Sequence, residues 1–445
     1  MATIRIKNLG PIKDTGLIGL TDVLLVIGRQ SSGKSTFMKV LCYCRWIEKK
    51  VMTSFENTIQ SYTHNKRFIR ELKQFHRVDE MYFGDDTEIM YDGDVITISL
   101  TGTNQNAKIV RKQDAWDDRY NSKLSYIPAE RNLISAVRNI DSTYKSKERD
   151  SIFNFIHEWY EAKMKYDLDN KIDLSLTDDF KYFNDEGLDY VMLPNGKPIT
   201  SFYASSGVQS IMPIDVMSDY NMGVVGKIVK FSVTDLINRL MESLDADVVK
   251  QKEIGSITEE DLAPIRERMK YQSAQLFIEE PEQNLYPDAQ RLLVQNIIRR
   301  LKVAQSVGKH RSMIVLTTHS PYVLSTLNVL MADAAANEKR PDDERLKEIV
   351  DETTLLQTDA ISAYFINKDG VFEDIKDMEI PMLSGIERNL IRRIANEKEY
   401  IRELDSCRLY CRASTSSQKV CGHTGARQEV YACHSRETPI NGISN

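Results

Sequence analysis

The sequence predicts an α/β fold around a mixed sheet, and three observations predict it. Apolar runs of strand length end in polar tips: VLLVIG at 23–28, LFIEE at 276–280 and MIVLTTH at 313–319. Continuous apolar runs suit strands buried on both faces of a parallel sheet. Segments with apolar residues at helical spacing follow or separate them, at 31–47 and 288–301. Finally, EIMYDGDVITISLTG (88–102) alternates about Asp92-Gly93, a hairpin signal that adds antiparallel strands.

Taken in order, TIRIKNLGPI alternates through Ile4, Ile6 and Leu9, the pattern of a half-covered strand, and Gly10-Pro11 ends it. After VLLVIG, the stretch 31–47 turns helical, with Phe37, Val40, Leu41 and Cys44 on one side. KLSYIPAERNL (123–133) reads as a strand running into a loop. Residues 140–200 are polar and aromatic, with helix-like SIFNFIHEWYEAKM (151–164) and hairpin-like LPNGKPI (193–199). ASSGVQSIMPIDVM (204–217) starts a helix. AISAYFINKDGVFEDI (360–375) forms a last hairpin about Asp369-Gly370, and 386–404 is helical. The expected organisation is an N-terminal lobe over 1–139 and an inserted helical and hairpin region over 140–203. A second lobe follows over 204–404. From Asp405 the chain loses its apolar period, and 405–445 is expected to be disordered.

The 445 residues are 41% hydrophobic and 28% charged, an ordinary globular balance. A net charge of −6 does not advertise a polyanion as the partner. No apolar run approaches about 18 residues, so no membrane span is expected. The start, MATIRIKNLGPIKD, lacks the apolar stretch of a secretory signal. Six cysteines, four of them near the end, do not make a disulfide framework, and the expected setting is the reducing cytoplasm.

The chemistry starts at Gly28-x4-Gly33-Lys34-Ser35, the full Walker A spacing, placed between a strand and a helix. Glycines let the backbone wrap phosphates, with the N–H groups of Gln30, Ser31, Ser32 and Thr36 available around them. The helix start adds positive potential. Lys34 would neutralise the β- and γ-phosphates, and the Ser35 hydroxyl would ligate Mg2+.

LFIEEPE (276–282) delivers two adjacent carboxylates from an apolar strand, then a proline. A Glu-Glu pair ordinarily marks a solvated loop; the apolar run before it and Pro281 after it argue for a site. Glu279 would hold Mg2+, and Glu280 would polarise the attacking water. Adjacent strand residues point opposite ways, so the two can divide these roles. His319 follows a buried strand directly. A lone His is usually structural, but the strand tip is where ligands of α/β sheets gather, and an imidazole there can sense a γ-phosphate. Ser205-Ser206-Gly207 before a helix is, on its own, a capped helix start.

In their order, GRQSSGKST, YIPAERN, SSGVQS, FIEEPEQNLYP and TTHSPYVL resemble the ABC-type ATPases of the RecF, SMC and OLD group. More closely, they resemble stand-alone bacterial AAA-type ATP-binding proteins of phage-defence operons, over about residues 1–375. The resemblance implies an ABC-type ATPase head with ATP and Mg2+ as cofactors. Gly28, Gly33, Lys34, Ser35 and Thr36 would be Walker A. Glu279 stands where the metal-binding Asp usually stands, Glu280 at the catalytic Glu, and His319 at the switch histidine. Ser205, Ser206, Gly207 and Gln209 match the signature motif, though Ser206 and Val208 depart from its commonest form. In such proteins the signature of one subunit covers the nucleotide of the other, implying a second copy as partner. Gln60, Gln74 and YIPAER remain alternatives for the Q-loop.

Two absences narrow this further. No long heptad run separates Walker A from the signature, so there is no long coiled-coil arm. No Asp-x-Asp follows His319, so a Toprim nuclease is not expected in this chain, and a separate effector nuclease is, as in defence systems of the PARIS or Septu type. A RecF-like role on DNA, or a non-hydrolysing ATP-bound scaffold, are the competing readings. Lys66, Arg67, Arg70, Lys73 and Arg77 could touch DNA phosphates, although a solvated helix is the better account of them. Cys407, Cys411, Cys421, His423, Cys433 and His434 could bind zinc, but their spacings fit no common finger.

Overall fold

The computed structural model describes residues 1–53, 57–102, 106–115, 118–137, 140, 150–227 and 270–376. The chain divides into two units, 1–386 and 387–445. The second unit lies outside the described residues, as do all of the expected helix at 386–404 and the cysteine-bearing tail.

The chain begins with β1 (Thr3–Leu9), whose Ile4, Ile6 and Leu9 are buried while the residues between them reach solvent. β2 (Ile12–Asp14) and β3 (Ile18–Gly19) pair with it antiparallel. β4 (Val23–Gly28) is buried at every position. It feeds the long helix α1 (Lys34–Thr53), followed by α2 (Asn57–Tyr62) and α3 (Arg67–His76). The chain returns through β5 (Phe83–Asp92), β6 (Ile96–Thr101) and β7 (Lys108–Arg111) to complete a six-stranded sheet that contains β1, β2 and β3. The Asp92-Gly93 turn is the one the alternation predicts.

β8 (Asn121–Ile127) leads to a short helix, α4 (Leu133–Ala136). The region expected to be a helical insertion includes, among its described residues, the helix α5 (Ser151–Lys163), which Asp150 caps by accepting from the Phe153 N–H at 2.8 Å. Residues 172–200 within it form an antiparallel sheet of β9 (Ile172–Asp173), β10 (Lys181–Asp185), β11 (Leu188–Met192) and β12 (Pro198–Thr200). Two of these strands are too short to show a period of two, which is why only the Asn195-Gly196 turn announces them.

α6 (Ser206–Gly223) precedes β13 (Tyr271–Glu279), α7 (Pro287–Val307), β14 (Met313–Thr318), α8 (Pro321–Lys339) and α9 (Glu344–Ile349). β15 (Ile361–Ile366) and β16 (Phe372–Asp374) close the described chain. The central sheet runs β16-β15-β4-β14-β13-β8, parallel throughout except for the β15–β16 hairpin.

Alternation along these strands divides the interior into two cores. Leu24, Val26, Phe277 and Val315 face α1 and the N-terminal antiparallel sheet. Leu25, Ile27, Leu276, Ile278 and Leu316 face α5, α6, α7 and α8. The sheet is thus covered on both faces, as a parallel sheet needs.

A buried polar network fastens the first core. Arg45 donates to Gln275 on β13 (2.7 Å), and on the hairpin to Tyr91 (2.9 Å) and Asp94 (2.8 Å). It also pairs with Glu48 at 2.8 Å. Glu48 accepts from the Val95 N–H at 2.8 Å. Burial raises the Glu48 carboxyl, opposed by Arg45. Removing one partner of a buried pair strands the other. Arg45→Met should cost about 3–5 kcal/mol in urea unfolding. A cost below about 1 kcal/mol would show the network to be incidental.

His76 offers a second test. It is 1% exposed among Tyr43, Phe75 and Tyr126, and its two ring nitrogens have no hydrogen-bond partner. Burial pushes its pKa down to about 3. Between about 6.5 and 3 the unfolded chain takes a proton that the folded chain refuses, so acid favours unfolding. His76→Phe should remove up to about 5 kcal/mol of the stability lost over that window, read as the difference between the two pH–stability curves.

Candidate functional site

Parallel register brings three tips to one edge. Glu279 of β13 sits opposite Thr317 of β14, and Thr318 sits opposite Ile27 of β4. The residues just beyond, Glu280, His319 and Gly28, therefore emerge together, with His319 on the strand between the other two. Ligands of open α/β sheets bind at this carboxyl edge.

The loop from Gly28 to Lys34 has little freedom. Gly33 adopts φ +105°, and a Cβ there would lie 2.7 Å from Ile12 Cγ1. Ser31 is also left-handed, with φ +58°. A Cβ on Gly28 would meet Ser32 Oγ at 2.6 Å. Ser32 Oγ is buried with no hydrogen-bond partner. Gln30, Ser31 and Ser35 are exposed, whereas Thr36 is buried. The Lys34 ammonium is 5% exposed and donates to Gly28 O and Arg29 O, each at 2.8 Å. Burial lowers its pKa; the charges of Glu280, Glu282 and Glu279 oppose that, which places all three carboxylates in its field.

The carboxylates differ in setting. Glu279 is 4% exposed; its Oε2 accepts from the Ala129 N–H at 3.3 Å, and its Oε1 has no partner. Thr317 Oγ1 nearby is likewise buried and unpaired. Glu280 ends the pairing with an N–H bond to Thr317 O (2.9 Å), then turns left-handed at φ +43°. Its side chain is 30% exposed, and Oε1 lies 3.9 Å from His319 Nδ1. An acyclic, non-glycine residue in this region is strained, and such positions cluster at working sites.

His319 is held by a residue the sequence reading did not assign. Glu282 Oε1 accepts from the His319 N–H at 2.9 Å and lies 3.2 Å from Nδ1. Ser320 caps α8 by accepting from the Tyr322 N–H (3.1 Å) and donates to buried Gln290 at 2.6 Å. Arg131, in YIPAERN, is the other unassigned residue. It is fully buried, and burial pushes its pKa down to about 10 against the pull of Glu282, Glu280 and Glu279. It reaches both the α6 backbone and the carboxylate turn. Nothing in the local sequence marks Glu282 or Arg131 beyond membership of the quoted stretches.

The stretch Ser205–Gln209, expected to be the signature, makes local bonds. Ser205 caps α6, accepting from the Val208 N–H at 3.5 Å, and Ser205 and Ser206 are exposed. Gln209 donates to Ser201 O (3.0 Å) and Phe202 O (3.1 Å). Gly207 packs so closely on the turn after Glu282 that a Cβ would come within 2.9 Å of Asn284 O. Among the described residues, none of these four hydrogen-bonds residues 28–36.

The donor set fits a phosphate-bound magnesium ion. Mg2+ in such sites keeps several waters and takes one or two protein oxygens plus phosphate. The bare Oε1 of Glu279 and the exposed Ser35 hydroxyl are oxygens of the right kind. Among the described residues no group of three or more His, Cys, Asp or Glu could hold a metal by itself. No described helix is long and apolar enough to cross a membrane.

Fold and loop together define an α/β protein with a P-loop nucleotide site. A family model described as an AAA ATPase domain matches residues 256–324, the stretch that holds Glu279, Glu280, Glu282 and His319. No curated protein matches the chain. Among solved structures, the SMC head domain from Thermotoga maritima is 10% identical, covers 84% of this chain and 97% of its own, and has a TM-score of 0.34. An Smc head with an extended coiled coil, bound to the C-terminal domain of ScpA from Pyrococcus furiosus, is 10% identical over 90% and 100%, at 0.35. The recombination mediator RecF is 9% identical over 84% and 97%, at 0.32. At these scores the likeness says nothing about chemistry.

Glu282→Ala leaves the His319 N–H without its acceptor. It should cost about 1–3 kcal/mol and speed deuterium exchange at the His319 amide; unchanged exchange there would remove Glu282 from this role.

Proposed function

We propose that the protein is an ATPase that dimerises around ATP and gates a separate effector, a nuclease, in bacterial defence against phage. The carrying observation is the convergence of Lys34, Glu279, Glu280 and His319 at one sheet edge. The AAA ATPase match over three of those four residues supports it.

In this reading the residues 28–36 wrap the phosphates, and Lys34 gives up its two loop carbonyls to meet the β- and γ-oxygens. When bound, Mg2+ would be held by Ser35 and Glu279 and would neutralise phosphate charge. Glu280 takes the proton of the attacking water, and its part-exposed carboxylate suits that exchange. Glu282 orients His319, leaving its Nε2 free to face the γ-phosphate. The exposed Ser205 and Ser206, with Gly207 and Gln209, make no hydrogen bond to this chain's own loop among the described residues, which supports closure by a second copy. DNA contact has less behind it. Arg67 is paired with Glu71, Lys73 with Glu80 and Arg77 with Asp150, so much of the expected basic cluster is neutralised.

Lys34→Ala should weaken nucleotide binding by at least about 100-fold. Glu280→Gln should bind ATP within about threefold of the parent, release phosphate about 100-fold or more slowly, and accumulate as an ATP-bound dimer by light scattering. Normal phosphate release by Glu280→Gln would refute the assignment. Binding without any phosphate release by the parent protein would instead leave a scaffold.

A further inference from the structure

Arg131 has a hydrogen-bonding pattern that packing alone does not require. A guanidinium carries five N–H groups in a rigid fork. Nε donates to Ser210 O at 2.9 Å. Nη1 donates to Pro128 O at 3.3 Å and Glu279 O at 2.8 Å. Nη2 donates to Ser210 Oγ at 3.2 Å and Glu280 O at 2.7 Å. Each of the five bonds ends on a different acceptor, and the acceptors belong to three separate segments: the loop after β8, helix α6, and the carboxylate turn.

We propose that Arg131 is a positioning residue that couples the signature helix to Glu280, so that engagement of the α6 N-terminus by the nucleotide of a second copy is felt at this chain's own hydrolytic carboxylate. The coupling rests on the ATPase reading above and adds its regulation. Ser210 lies one helical turn beyond Ser206, on the helix whose exposed start carries the signature. A rigid α6 that shifts at its start carries the Ser210 carbonyl and hydroxyl with it. The fork is planar, so Nε and Nη2 cannot follow Ser210 without moving Nη1 and the second Nη2 bond, which hold the carbonyls of Glu279 and Glu280. Those carbonyls bracket the peptide that sets the left-handed turn at Glu280 (φ +43°) and therefore the direction of its side chain. Misplacement of a catalytic group by about 1 Å can cost about 100-fold in rate. Lysine keeps the charge but cannot span the same acceptors.

The test compares kcat per folded molecule and ATP affinity for the parent, Arg131→Lys and Ser210→Ala, with folded fraction taken from circular dichroism. Arg131→Lys should lower kcat by 30-fold or more, by the misplacement argument above, with affinity within about threefold. Ser210→Ala, a good helix former that removes one acceptor, should lower kcat by roughly three- to tenfold with affinity unchanged. A purely structural Arg131 would lower the folded fraction and leave kcat per folded molecule at the parental value, and that result in either folded variant overturns the coupling. Should Arg131→Lys fail to fold, Ser210→Ala decides. A parent that releases no phosphate, with Lys34→Ala binding ATP normally, would overturn the ATPase reading, which is a separate outcome.

Discussion

The parallel pairing of β4, β14 and β13 is the constraint from which the site follows. β4 lies some 290 residues before β14 in the chain, and only their hydrogen-bonded register, with β13 alongside, brings Gly28, His319 and Glu280 to one edge, with Glu280 one residue short of the other two. Each strand is buried on both faces over its apolar run. The polar tips are then the first residues free of that requirement, and the chemistry gathers there.

The two cores do different work. The core between the central and N-terminal sheets holds α1, and through α1 the phosphate loop, against a polar network centred on Arg45. The opposite core holds α6 and α7, and with them the signature start and the turn after Glu282. The phosphate loop and the signature therefore belong to opposite faces of one sheet. This agrees with the lack, among the described residues, of a hydrogen bond between Ser205–Gln209 and residues 28–36. Arg131 crosses between α6 and the carboxylate turn, bonding Ser210, Glu279 and Glu280.

Much was legible in the sequence where the signal is local. Glycines at fixed spacing after an apolar run, Glu-Glu-Pro after LFI, and His319 after MIVLTT are each a short pattern whose meaning depends on the residues beside it. The Asp92-Gly93 and Asp369-Gly370 hairpins were equally visible. The antiparallel sheet at 172–200 was not, because its strands are two to five residues long and carry almost no period. Glu282 and Arg131 were hidden for another reason. The acceptors of Arg131 on α6 and on the carboxylate turn lie 79 to 149 residues further along, and His319 is 37 residues from Glu282.

By itself, the sequence determined the phosphate loop, the strand tips that bear Glu279, Glu280 and His319, and the α/β class, since period, glycine spacing and buried runs are properties of neighbouring residues. Only the tertiary structure decided that Lys34 bonds the loop carbonyls, that Glu282 holds His319, that Arg131 joins α6 to the carboxylate turn, and that Ser205 and Gln209 spend their side-chain bonds on α6 and the turn before it. The contacts of Glu282 and Arg131 join polar groups far apart in the chain, and a buried donor finds its acceptor through packing, which no local pattern records.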